Sequence, residues 1–291
     1  MLTRIDHVMV CVPDLAHGID AYTKLGFAVH PGGVHPGRGT ENAIGFFEHD
    51  YLELLGLRDR DEYLRASPDG GLLEFLAAGG GLRYIAVQSD DLERDVAGMR
   101  ARGVDVTDVV DGARRTPAGQ QLRWRSARLG PRNVLPLFFI QHLTPLDERR
   151  RAAPGAGEHP NGVQRVDRVY IAVPDVTKAA ETYGRVLGMT VPPVQRGRVI
   201  KADMVVFDIG PTGLTVAQPA EPGPAADALA RRGPGPFQVL YRTRSLESVA
   251  RAMEAQRVPV PEREIRNTGE TVMLVGPERA CGVFVGLVGP A

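Results

Sequence analysis

Cysteine is scarce in this 291-residue chain: Cys11 and Cys281 are its only two, too few for a disulfide framework. Each sits in an apolar, strand-like run, which reads as two free, buried thiols in a reducing cytosol. No apolar stretch approaches the roughly 20 residues that a membrane helix needs. The N-terminus combines no basic region, apolar core and cleavage site, so a cytoplasmic protein is expected. Charge of one sign is missing as well, with 35 basic against 35 acidic residues and no basic run longer than Arg149-Arg150-Arg151. That balance excludes nucleic acid and anionic membrane as expected partners and leaves a small-molecule substrate. There is no G-x-S-x-G elbow, no Walker loop, no H-E-x-x-H and no C-x-x-C, so hydrolase, phosphate-loop, zincin and dithiol chemistries have no signature here.

What is present is repetition. Ile5-Asp6-His7-Val8-Met9-Val10-Cys11-Val12-Pro13-Asp14-Leu15 returns 161 positions later (Ile5 to Val166) as Val166-Asp167-Arg168-Val169-Tyr170-Ile171-Ala172-Val173-Pro174-Asp175-Val176. Tyr22 then matches Tyr183, and after one inserted residue Leu25-Gly26-Phe27 matches Leu187-Gly188-Met189. Each half also repeats within itself. A shift of 77 (Gly26 to Gly103) aligns Leu15 with Leu92 and Val29 with Val106, and a shift of 154 (Leu92 to Leu246) aligns Met99 with Met253. The chain is four copies of one unit, with an apolar fraction of 43% that suffices for two cores.

Each copy opens on a β-prone run and meets a helix N-cap at Asp14, Asp91, Asp175 or Ser245. In the second copy Leu92, Val96, Met99 and Ala101 form a helical stripe that stops at Gly103, a left-handed cap. Extended segments follow at 43–47 and 51–57, 122–129 and 135–143, 202–209 and 213–218, 271–275 and 282–288. The unit is therefore βαβββ. Residues 144–165 are rich in charge, proline and glycine without periodicity and read as a linker, which sets the expected domains at 1–145 and 162–291.

Repeated βαβββ units resemble the vicinal-oxygen-chelate superfamily, and Gly32 to Asn42 (GGVHPGRGTEN) followed by Tyr51 to Leu57 (YLELLGL) resembles its glyoxalase-like subgroup. The resemblance implies an α+β fold of four βαβββ modules paired into two half-open barrels, each able to surround a divalent ion. Its members include isomerases, lyases, ring-cleaving dioxygenases and antibiotic-binding proteins, so the fold leaves the reaction open. It implies metal ligands on the first and last strands of paired modules. His7 fills the first such position and Glu53 the second; Tyr84 and Gln141 fall on the other two, and a one-residue slip brings His142 inward instead of Gln141.

The residues themselves agree in part. A carboxylate between Leu52 and Leu54 costs several kcal/mol to bury unless it is paired or binds a cation, so Glu53 needs a partner; Arg83 is the bland alternative. His7 alone is as readily a core histidine bonded to backbone as a ligand. Gln141 suits substrate hydrogen bonding as well as ligation. Tyr84 is a phenol for the same cavity or an ordinary core aromatic, the glycine-rich segment reads by itself as a tight loop while its resemblance implies that His35 and Asn42 border the pocket, and Arg123, Trp124, Arg125 and Arg128 offer a positive wall or a solvated sheet face. The expected site is thus His7, Glu53 and Gln141 as metal ligands, with Glu53, Tyr84, His35 and Asn42 as catalytic residues and a divalent ion (Zn, Ni, Mn or Fe) as cofactor.

In the second half the matching positions are Arg168, Thr215, Gln238 and Gly286, which form no ligand set and predict a metal-free partner half. The function that follows is a metal-dependent isomerase or lyase acting on a small oxygenated metabolite. A metal-free binding or resistance protein is the alternative, and an extradiol-type dioxygenase fits less well because it wants two histidines. The halves pair within one chain or across a homodimer.

Overall fold

The computed structural model describes residues 1–291 except 117, 154 and 291. The first module is β1 (Leu2–Val12), α1 (Leu15–Lys24), β2 (His30–His35), β3 (Thr40–Phe46) and β4 (Tyr51–Leu57). Two short helices, α2 (Arg60–Ala66) and α3 (Gly71–Ala77), lead to the second module: β5 (Gly81–Ser89), α4 (Leu92–Ala101), β6 (Val110–Arg115), β7 (Gln121–Arg128) and β8 (Leu137–His142). After α5 (Leu146–Arg151) the third module runs β9 (Val163–Ala172), α6 (Val176–Leu187), β10 (Gln195–Gly197), β11 (Ala202–Ile209) and β12 (Thr212–Pro219). Then α7 (Pro224–Arg232) precedes the fourth: β13 (Gly235–Thr243), α8 (Leu246–Ala255), β14 (Arg263–Ile265), β15 (Thr271–Val275) and β16 (Phe284–Val288).

The helices start where their caps dictate. The side chains of Asp14, Asp91, Asp175 and Ser245 accept from the backbone N–H groups of His17, Arg94, Lys178 and Ser248. The strands form two eight-stranded sheets of one topology, ordered β2-β3-β4-β1-β5-β8-β7-β6 and β10-β11-β12-β9-β13-β16-β15-β14. In each, the first strands of the paired modules run antiparallel side by side, each flanked by its own module's last strand in parallel. The repeat holds down to an irregularity. Asp6 is an extra residue between Ile5 and His7 in the β1–β5 ladder, and Asp167 is the same extra residue between Val166 and Arg168 in the β9–β13 ladder.

Alternation along the strands divides each sheet into two faces. Val8, Val10, Leu52, Leu54, Val87 and Phe139 join Val169, Ile171, Leu214, Val216 and Val239 in one core that runs through both halves and takes in α1, α4, α6 and α8. His7, Met9, Glu53, Tyr84 and Phe138 are left on the opposite face of the first sheet, its cleft.

Two expectations change in detail, and one segment is new. The segment read as a linker contains α5 and is strapped to the first half: the buried His159 ring accepts from the Ala28 N–H through Nδ1 and donates through Nε2 to the Phe46 carbonyl, and Asn161 donates to the Leu25 carbonyl. Burial pushes the His159 imidazole down to about 4, which suits a neutral structural ring. Cys281 lies before β16 rather than in it, in a turn at φ 52°. The α2–α3 segment, whose counterpart in the second half is the single helix α7, packs Tyr63, Leu72 and Leu76 against Cys11, Met9 and Leu55 at one end of the cleft.

Candidate functional site

The site is built on the bulge in β1. An ordinary strand points neighbouring side chains to opposite faces, but the extra residue lets Asp6 turn to the ring of His7. Asp6 Oδ1 stands 2.7 Å from His7 Nδ1, and Asp6 Oδ2 stands 2.8 Å from His142 Nε2 on β8. The carboxylate is completely buried. Against the large opposing effect of that burial, the two imidazoles hold it well below the usual carboxylate range. A charged Asp6 requires hydrogen on both facing nitrogens, so His7 carries a proton on Nδ1, and the neutral tautomer with that proton presents the Nε2 lone pair to the cleft.

That nitrogen lies 3.5 Å from Glu53 Oε2 on β4. The other carboxylate oxygen, Oε1, accepts from Asn42 Nδ2 at 2.7 Å. Asn42 owes its place to Gly32: a Cβ there would fall 2.4 Å from Asn42 Oδ1. Tyr51 stacks on His7 with ring centroids 4.3 Å apart, and Phe46 stacks on the other face of Tyr51. Two acceptors, Nε2 and Oε2, therefore face each other with nothing donated between them, a gap suited to a proton or a cation.

Donors held about 2.0–2.2 Å from one ion at a tetrahedral angle stand about 3.5 Å apart. Carboxylate support behind a ligating imidazole is likewise the usual arrangement in metal sites. His7 and Glu53 thus fit one side of a divalent centre. The other side supplies little. Met9 pairs with Glu53 across β1–β4, and its repeat mate Ala86 pairs with Phe138 across β5–β8, so the place equivalent to Glu53 holds Phe138. Among the described residues no group of three His, Cys, Asp or Glu side chains is placed to hold a metal. An ion here would have two protein donors and depend on substrate or water oxygens for the rest.

The structure does not bring Gln141 to this cluster. Alternation places it on the face opposite Ile140 and His142, where Oε1 accepts from the Leu92 N–H and Nε2 donates to the Asp90 carbonyl, tying down the start of α4. The third module uses the same device, with Gln218 Oε1 accepting from the Val176 N–H at the start of α6. His142 takes the inward place, though it bonds Asp6 rather than the gap.

Tyr84 stands in an apolar wall with Met9, Ala86, Phe138, Ile140 and Trp124. The Arg83 guanidinium lies 5.2 Å from the Tyr84 ring, and that of Arg128 lies 5.3 Å from the Phe138 ring. Arg123 and Arg125 belong to the strand's solvated edge, with Arg125 facing Asp111 at 3.4 Å. His35 bonds Thr40 Oγ1 through Nδ1; burial lowers its pKa, and the negative charge of Glu53 opposes that shift.

Sequence reasoning missed Asp6. Its signal was available: a charged residue in the middle of an apolar strand, repeated as Asp167.

The family model for glyoxalase-like domains matches residues 5–187, and the model for the glyoxalase/bleomycin resistance protein/dioxygenase superfamily matches residues 167–274. No curated protein matches the chain in sequence. Among solved structures, a hypothetical protein from Staphylococcus aureus is similar at 13% identity and a TM-score of 0.66, with 98% of this chain and 99% of that one covered. A mutant of 4-hydroxymandelate synthase from Streptomyces coelicolor is similar at 14% identity and 0.68, covering 99% and 92%. A xylose isomerase-like TIM barrel/4-hydroxyphenylpyruvate dioxygenase fusion protein is similar at 12% identity and 0.61, covering 99% of this chain and 49% of that one. At such identities the likeness is one of fold.

Proposed function

Since the chain belongs to the glyoxalase-like domain family, within the glyoxalase/bleomycin resistance/dioxygenase superfamily, we propose that its first half is a divalent-metal-dependent enzyme of the isomerase or lyase type, acting on a small oxygenated metabolite. One observation carries this reading: two buried acceptors, His7 Nε2 and Glu53 Oε2, face each other 3.5 Å apart, with Asp6 fixing the tautomer of the first and Asn42 the orientation of the second.

His7 and Glu53 would hold the ion. When bound, it polarises a substrate oxygen as a Lewis acid and stabilises the negative charge that develops there. The chain's own residues do the rest. Asp6 keeps the proton of His7 on Nδ1. Asn42 occupies Glu53 Oε1 and leaves Oε2, which faces His7 Nε2, to the ion. The proton taken from the carbon beside a substrate carbonyl and returned to a neighbouring carbon, with no net change of oxidation state, would then pass through another group of the cleft, for which the Tyr84 phenol is the candidate. Tyr84 and Phe138 close the opposite wall and exclude water from the developing charge. Ring cleavage fits less well, because the second imidazole, His142, is committed through Nε2 to Asp6.

The presence of Phe138 where a fourth ligand would stand favours a second reading. An aromatic wall of Tyr84, Trp124 and Phe138, rimmed by Arg83 and Arg128, would equally sequester an anionic aromatic compound without metal. Elemental analysis of protein purified without a chelating tag separates the two. Near-stoichiometric Mn, Fe, Ni or Zn, lost in Glu53→Gln, supports the enzyme; wild-type protein free of metal overturns it and leaves the binder.

A further inference from the structure

The second half repeats the architecture of the first with different chemistry at the same places. Arg168 replaces His7, Thr215 replaces Glu53 and Gln238 replaces Tyr84, as the ladders confirm: Tyr170, the repeat mate of Met9, pairs with Thr215 on one side and Gln238 on the other. Each of these three side chains carries a buried polar atom without a partner among the described residues, namely Arg168 Nε, Thr215 Oγ1 and Gln238 Oε1. Thr215 and Gln238 are essentially inaccessible, at 0% and 1%. Leaving such a group unpaired costs about 1–3 kcal/mol, and apolar residues of the same shape would pack there without that cost. Three such costs on one face of one sheet, at the positions that make up the first-half site, point to a ligand.

We propose that this second half is a metal-free binding site for a small organic carboxylate carrying a hydroxyl group at its far end. The unsatisfied atoms define the ligand by complement. The Arg168 guanidinium lies over Gly213, with Nε 3.1 Å from where a Cβ of that glycine would be, and Gly213 shares its face of β12 with Thr215 two residues on. Arg168 and Thr215 therefore make one pole, which donates to a carboxylate. Among the described residues Arg168 is otherwise engaged only by an exposed Asp208, at 3.4 Å. Gln238 Oε1, across Tyr170, is an acceptor and takes a hydroxyl proton. Tyr170 stands between Thr215 and Gln238 in the ladders, and Phe237, Phe284, Leu240 and Met204 form with it a buried apolar cluster, part of which an aromatic ligand must displace on entry. The side chain of Arg168 is 19% exposed, so access is from the cationic end. A permanent guanidinium at the place of His7 repels a metal ion.

The test is calorimetric titration of the full chain with 4-hydroxybenzoate in buffer containing a chelator, so that an ion at His7 and Glu53 plays no part, and the Arg168→Met and Gln238→Leu variants separate binding here from binding at the aromatic wall of the first half. Saturable one-to-one binding is expected, weakened about tenfold or more with benzoate as ligand or in Gln238→Leu, and weakened further in Arg168→Met. His7→Ala should bind as the wild type does. Gln238→Leu and Thr215→Val remove unpaired atoms and should melt no lower than the wild type, so that lost binding is not lost folding. Absence of saturable binding by the wild type overturns the proposal. So does equal affinity for benzoate and 4-hydroxybenzoate together with unchanged affinity in Gln238→Leu, or loss of binding in His7→Ala. A crystal structure grown with the probe that shows only water on the three orphaned atoms would also overturn it.

Discussion

Asp6 holds two imidazoles with one carboxylate, 2.7 Å from His7 Nδ1 and 2.8 Å from His142 Nε2. An acceptor with two oxygens can fix both rings as donors; an amide cannot. Asp6→Asn keeps the shape but offers one oxygen and one N–H, so one ring must reverse its tautomer or lose its bond. Reversal of His7 puts a proton on Nε2, where it meets Glu53 and closes the gap. The expected result is a 10–100-fold loss of metal affinity, the usual effect of removing carboxylate support behind a ligating histidine, together with a stability loss on the order of 1–3 kcal/mol. Metal titration and denaturant unfolding of the one variant measure both. Unchanged metal affinity would show that Asp6 holds structure only.

Gln141 acts on a helix rather than on the cleft, and Gln141→Leu should therefore separate the two roles. Loss of its bonds to the Leu92 N–H and the Asp90 carbonyl should lower stability by about 1 kcal/mol, as loss of a capping group does. Metal content should stay at the wild-type level. A parallel loss of metal would return Gln141 to the ligand set.

The fold was legible because it is periodic at several scales: the 161-residue repeat, the four N-caps and the glycine-terminated helices are local signals, and the structure realises each of them. His7 and Glu53 were legible because a carboxylate between leucines and a histidine in an apolar strand are costly without a purpose. Gln141 was misplaced for a physical reason: strand alternation makes inward and outward a matter of one residue, and the sequence of β8 carries a polar residue at both 141 and 142. The role of Asp6 went unread for a different reason: its charge in an apolar strand stands out, but only a bulge turns it toward its neighbour's ring. The α2–α3 segment differs from its repeat mate α7 in length and in number of helices, so the repeat of residues could not reveal it.

Asp50 ties the halves together and should make them sensitive to pH. It is fully buried, its Oδ1 accepts from the Val166 N–H at 2.8 Å, and its Oδ2 has no partner among the described residues. Burial pushes its pKa up from 3.8 to about 8. A carboxyl with a raised folded-state value binds its proton more tightly when folded, so its contribution is greatest below pH 4 and falls as the pH rises toward 8, by at most about 1.4 kcal/mol per pH unit. Asp50→Asn retains an acceptor for Val166 and removes the titration. It should be the more stable protein at pH 8 and show a flatter stability profile between pH 4 and 8. Unfolding measured across that range decides it, and equal slopes for the two proteins would refute the assignment.

Three of the four module helices end on or just before a left-handed glycine: Gly26 at φ 81°, Gly103 at 73° and Gly188 at 70°. The fourth ends before Arg257, at φ 58°. A side chain in that region costs about 1–2 kcal/mol, and a glycine there gives back part of the gain through the entropy of the unfolded chain. Arg257→Gly should therefore stabilise the protein by roughly 0.5–1 kcal/mol, with the bonds from the Arg257 N–H to the Glu254 carbonyl and from the Val258 N–H to the Met253 carbonyl retained. Arg257 also lines a groove of about 580 Å³ at the seam between the halves, beside His17, Arg279 and Cys281. Thermal unfolding thus weighs backbone strain against side-chain contacts. A gain in Tm shows that strain dominates; a loss shows that the guanidinium contributes more to the seam than its backbone conformation costs.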